Sequence, residues 1–185
     1  MLRRIFGGRK KQNQTSIRLQ RSSPSWDELS VEAAAHMGRK DIGSLVLDRA
    51  AAYSLATAIA FGPLADVKRM VNEEPRCIQE RGAHSFPLLW YTAFGDEHLD
   101  TAEDLISAGA NVHEDMRGRT VLHVSATAGH MTLCRFFLDR GLDPLTSGDS
   151  FLGKQTAVQA AGVGGHEDVA AMLAQWVSSP THSQE

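Results

Sequence analysis

Cysteine is scarce in this chain: Cys77 and Cys134 are the only two in 185 residues. That number excludes a disulfide-stapled scaffold, and a buried thiol at Cys134 in a reducing compartment is the expected state. Long apolar runs are missing as well. The longest uncharged stretch, Ala50 to Ala65, is too short and too rich in alanine to be a membrane span. The N-terminus lacks the apolar core of a secretory signal. Acidic residues are absent from positions 1–25, which hold seven basic ones (Arg3, Arg4, Arg9, Lys10, Lys11, Arg18 and Arg21). The remainder carries twelve basic against 22 acidic residues, a net of −10, so a basic arm precedes an acidic body.

Signs of catalysis are equally sparse. No Ser, Cys or carboxylate stands in a nucleophile or acid–base motif. The eight histidines lack ligand spacing such as H-x-x-x-H, so no metal is expected. Gly148 to Thr156 nearly spells a phosphate loop, G-x-x-x-x-G-K-[ST]. Gln155 stands where the hydroxyl after Lys154 is required, and a helix and a hairpin rather than a strand precede it. Gly153 and Thr156 are better explained as the opening of a structural unit. No cofactor is implied. A small enzyme or nucleotide binder centred on this loop is the weakest of the functional alternatives.

What the chain does have is a repeated pattern, clearest from Arg117 to Pro144. Thr120 is placed to cap a short helix whose inward positions are Val121, Leu122, Ser125 and Ala126. The small Ser125 and Ala126 allow a second helix to approach closely. Gly129 suits a helix end needing positive φ. Leu133, Cys134, Phe136, Phe137 and Leu138 make the apolar face of the second helix, Gly141 ends it, and Asp143-Pro144 starts a turn. Two such short helices cannot bury both faces alone and need stacked neighbours. The same spacing recurs around Gly62, Gly95 and Gly165, so that Gly62, Gly95, Gly129 and Gly165 stand at intervals of 33, 34 and 36 residues.

The stretch resembles an ankyrin repeat. Gly118, Thr120, Leu122, His123, Ala126, Gly129, His130, Leu133, Phe136, Phe137, Leu138, Gly141 and Asp143 fall at that family's spacing, with Val121, Ser125, Cys134 and Leu142 as small or apolar departures. The resemblance covers about residues 27–176. It implies an all-α, ankyrin-repeat solenoid of stacked helix-turn-helix units with short hairpin loops. The expected division is an arm at 1–25, a repeat domain at 26–177 and a polar tail at 178–185. Within the domain an N-terminal helical cap at about 27–49 precedes units at about 52–82, 84–113, 118–147 and 153–177. Gly38 and Gly62 are too close for a normal hairpin, so either a tight turn joins the first pairs or Asp41 to Phe61 is one longer helix. In the second unit Phe86 replaces Thr and Leu89 replaces His, which removes the usual polar brace. In the fourth, Gln159 replaces His and Trp176 is placed to cover the end of the stack.

The resemblance further implies a non-catalytic module that binds an unidentified partner protein through its concave face and hairpin tips. Carried over by position, that face takes Met116, Arg117 and Arg119 from one hairpin, and Phe151, Leu152, Lys154 and Gln155 from the next. The first helices contribute Phe61, Phe94 and Thr127, with Trp90 one helical turn before Phe94. Packing between units is the competing role for each of the three rings. Phe151-Leu152 is the more informative pair, because two apolar residues at a Gly-flanked tip have little intrinsic reason to be exposed: either they fold back on the stack or they are an anchor.

The arm has its own readings. It is a polar tail, free or laid over the acidic body, or a weak contact to an anionic membrane through residues 1–25, helped by Leu2, Ile5 and Phe6. The membrane reading would make the protein a tethered adaptor. An Arg-rich, acid-free segment also suits mitochondrial targeting, whereas the body is expected to be cytoplasmic. Nucleic acid is disfavoured, since no aromatics interleave the charges.

Overall fold

The computed structural model describes Ala34, residues 41–43, residues 54–94 and residues 97–178. Seven α-helices are complete within these residues: α1 Leu55–Phe61, α2 Leu64–Glu73, α3 Leu99–Ser107, α4 Val121–Ala128, α5 Met131–Leu138, α6 Ala157–Val163 and α7 Glu167–Ser178. Tight 3-10 turns occupy Pro75–Gln79, Ala83–Ser85 and Leu88–Ala93. One antiparallel hairpin pairs β1 (Gly148–Ser150) with β2 (Gly153–Gln155).

Helices this short are marginal on their own in water. They persist because they stack in two rows. The first elements of successive pairs touch in the order α1, Leu88–Ala93, α4 and α6, and the second helices touch in the order α2, α3, α5 and α7. The core lies between the rows, where Ile59, Val67, Leu105, Leu122, Leu133, Phe137, Val169 and Leu173 are almost fully buried. Small residues let the first row close up: Ala56, Ala58 and Ala60 in α1, Ser125 and Ala126 in α4, and Ala157, Ala160 and Ala161 in α6 are all buried. The result is an all-α solenoid.

Local chemistry explains where the elements begin and end. Ser54 has extended backbone and accepts a hydrogen bond from the Thr57 amide at 3.2 Å, so α1 starts there. A continuous helix from Asp41 to Phe61 is thereby excluded. Gly129 takes φ +79 at the end of α4, as its position requires, and Gly165 takes φ +81. Gly62 does not follow them. It is extended (φ −87, ψ 168) because Pro63 bars the helical region to the residue before it. Gly95 and Asp96, and most of the expected cap at 27–49, lie outside the described residues, as do 179–185 and the arm.

The second unit is built differently from its neighbours. Its first element, Leu88–Ala93, is a 3-10 turn behind Pro87, with no side-chain cap. Winding with three residues per turn eclipses positions i and i+3. Tyr91 therefore stands against Phe94, with ring centroids 5.0 Å apart at an edge-on angle of 77°. Trp90 instead meets Phe86 at 5.0 Å. The expectation that Trp90 and Phe94 pair on one helical face is corrected by this tighter winding.

A candidate interaction face on the hairpins of the third and fourth units

Polar braces position this face. The Thr120 amide donates to His123 Nδ1 at 3.2 Å. An amide can only donate, so Nδ1 is the unprotonated nitrogen and Nε2 carries the hydrogen. Nε2 donates to the carbonyls of Thr146 (3.1 Å) and Gln155 (3.2 Å), which ties α4 to the loop and hairpin of the next unit. Burial holds the His123 pKa below its ordinary value, and the nearby Arg119 charge adds to this. The imidazole is thus a neutral structural brace.

Two hairpins are fixed by that brace. In the first, Met116 and Arg119 pair across a two-residue turn in which Arg117 (φ +57) and Gly118 (φ +78) both have positive φ. Asp115 accepts from the Gly118 amide at 2.7 Å. In the second, Ser150 Oγ donates to the Gly153 carbonyl at 2.8 Å and accepts from the Leu152 amide at 3.2 Å, and Gly153 (φ +98) closes the turn. The hairpins are joined edge to edge: the Asp149 amide donates to the Arg117 carbonyl at 3.1 Å. Gly148 makes this contact feasible, since a Cβ there would lie 2.5 Å from Arg119 Cα.

Not every residue expected on the face is there. Trp90 and Phe94 are only 3% and 9% exposed and belong to the core, so they offer nothing to a partner. Phe61 is half-buried with its ring over Gly43, where a Cβ would meet it at 2.6 Å. Met116 packs partly against the core. Thr127 turns its hydroxyl back to the His123 carbonyl at 2.8 Å, and Gln155 is half-buried, its backbone carbonyl accepting from His123. Arg117, Phe151, Leu152 and Lys154 are exposed, and Arg119 is half-buried at the base of the hairpins. Leu145 and Val163, which spacing did not place on the face, are also exposed apolar residues, as are Ile42 and Val177. Val163 had a signal, because it stands two residues before Gly165 as Thr127 does before Gly129.

The near-match to a phosphate loop is the β1–β2 hairpin, with Asp149 opposite Lys154 and the apolar pair at its tip. It is not a loop between a strand and a helix that could wrap a phosphate. Both cysteines are free and buried, and burial pushes the Cys134 thiol up to about 12, so it is not a nucleophile at neutral pH. Among the described residues no cluster of His, Cys, Asp and Glu could hold a metal ion. No helix among them is long and apolar enough to cross a membrane.

No curated protein matches this chain. The family model describing ankyrin repeats in three copies matches residues 88–182, a span that takes in the second, third and fourth helix pairs. With more than half of its length under that model, and with its helices stacked in two rows, the chain belongs to the ankyrin-repeat family.

Proposed function

We propose that this protein is a non-catalytic recognition module that anchors a partner protein on the hairpin of its fourth unit. Ankyrin repeats are in general protein–protein interaction modules. The observation that carries the assignment to this hairpin is the exposure of its tip, 89% at Phe151 and 59% at Leu152. Burying each side chain against a partner is worth roughly 1.5–3 kcal/mol. The turn that presents them is already fixed by Ser150 and by the neighbouring hairpin, so little ordering cost opposes binding.

The test is the double variant Phe151→Ser, Leu152→Ser. Immobilised full-length chain, wild type and variant, is exposed to lysate of the native host, and captured proteins are quantified by mass spectrometry. A partner of this face should fall more than about tenfold with the variant, given the burial energy above. The melting temperature should not fall, because the tip contributes nothing to the core. Equal capture by two equally stable proteins removes the hairpin from the proposal.

A further inference from the structure

We infer that the partner segment seated here carries an acidic side chain, Asp or Glu, within a few residues of its apolar anchor, and that this carboxylate docks at Arg119. The inference rests on the proposed role of the hairpin and adds the chemistry of what it holds.

Arg119 is the first observation. Its Nε is buried without a hydrogen-bond partner, and no carboxylate among the described residues pairs with the guanidinium. Burial draws its pKa below the ordinary value. A partly desolvated cation without a counter-charge is unfavourable in the free protein. Three other described arginines have a carboxylate: Arg69 pairs with Asp66 at 3.2 Å, Arg81 with Glu114, and Arg140 reaches Glu103 at 4.0 Å while lying over the Phe136 ring. Arg76, Arg117 and Arg135 have none among the described residues but are exposed to water, whereas Arg119 is half-buried. The two carboxylates closest in sequence to Arg119 have other partners: Glu114 pairs with Arg81, and Asp115 accepts from the Gly118 amide. Arg117 and Arg119 thus form a local cationic excess on an otherwise acidic domain.

The backbone at Arg117 is the second observation. It holds φ +57 at a turn position where Gly or Asn would be relaxed. Residues held in this region cluster at ligand clamps and switch sites, and His84 and Ser85 share it in the second unit. Continuity is the third. Gly148 abuts Arg119, and the hairpin runs three residue pairs from Gly148 to the Phe151-Leu152 tip. At a rise of about 3.3 Å per residue the tip lies about 10 Å along the hairpin from Gly148, where the Arg119 backbone stands. An extended segment covers that distance in about three residues. Arg suits a carboxylate because its fork of donors matches two oxygens at once.

The experiment selects peptides from a random display library on the immobilised full-length chain. The expected peptides carry Asp or Glu two to five residues from Phe, Leu, Ile, Met or Trp. One synthetic winner is then measured against wild type, Arg119→Met, and the Phe151→Ser, Leu152→Ser variant. Arg119→Met and an Asp→Asn (or Glu→Gln) change in the peptide should each weaken binding at least tenfold. Together they should weaken it no further, because both remove one contact. The melting temperature of Arg119→Met should stay level or rise, since no internal partner is lost. Winners without acidic residues, or binding indifferent to Arg119→Met, overturn the inference while leaving the apolar hairpin as the anchor. Binding indifferent to Phe151→Ser, Leu152→Ser overturns the hairpin role itself. An empty selection, or a marked fall in the melting temperature of Arg119→Met, also overturns the inference.

Discussion

At the first helix of the third unit His123 joins its own cap, Thr120, to the carbonyls of Thr146, in the loop after α5, and of Gln155, in β2. The equivalent position in the second unit is Leu89, three residues after Phe86, and no such bonds are available. There the chain fills the space with rings: Phe86, Trp90, Tyr91 and Phe94 form one contiguous cluster with centroids 5.0 to 6.2 Å apart. The polar unit fixes direction, because hydrogen bonds to named carbonyls hold the next hairpin in one place. The aromatic unit supplies area, which is not directional. The proposed interaction face lies on the hairpins that the polar brace orients, and the aromatic unit packs beside them as core.

Removing the largest ring should have the greatest effect. Trp90 is buried, and Trp90→Ala deletes it from the cluster that replaces a polar brace. The expected loss is about 3–5 kcal/mol in urea unfolding. A loss under about 1 kcal/mol would mean that the second unit contributes little and that the comparison between units is wrong.

His123→Leu comes next, at about 2–3 kcal/mol, because the Thr146 and Gln155 carbonyls lose their shared donor. Unlike Trp90→Ala, it should also speed amide exchange in the β1–β2 hairpin. The brace has a pH signature. Burial lowers the folded pKa of His123 below the ordinary 6.5, so the unfolded chain takes up its proton first. The contribution is complete above about pH 6.5 and is lost progressively as pH falls toward the folded pKa. Wild-type stability should therefore decline below pH 6.5 more steeply than that of His123→Leu. Parallel declines from unfolding curves between pH 8 and 5 would show that the ring is not the neutral brace described.

Much of the frame was legible in the sequence because its polar residues serve local geometry. Thr120, Gly129, Gly141 and Gly165 act within a few residues of themselves, so spacing alone placed them. Phe151-Leu152 was legible for the same reason, since a Gly-flanked pair must sit at a turn. Trp90, Phe94 and Phe61 were not. Their burial depends on 3-10 winding behind Pro87 and on Gly43, a segment distant from Phe61 in sequence. That Arg119 lacks a carboxylate partner among the described residues was equally hidden, because ion pairs depend on which elements approach in the fold rather than on spacing along the chain.

Gln159 sharpens the comparison with the smallest effect. It stands where His123 does, three residues after a capping threonine, and its Oε1 accepts from the Thr156 amide at 2.9 Å while its own amide donates to Thr156 Oγ1 at 3.3 Å. Its side chain thus reproduces the local half of the histidine brace. The other half has no counterpart, because among the described residues no further hairpin follows α7 to receive it. Gln159→Ala should then cost only about 0.5–1 kcal/mol, the range of a helix cap in water. The difference between this loss and that of His123→Leu measures the bonds His123 makes to the next unit. If the two losses are equal in the same denaturant, capping alone accounts for the histidine, and the orientation of the fourth-unit hairpin must come from Gly148 and the Arg117–Asp149 bond instead.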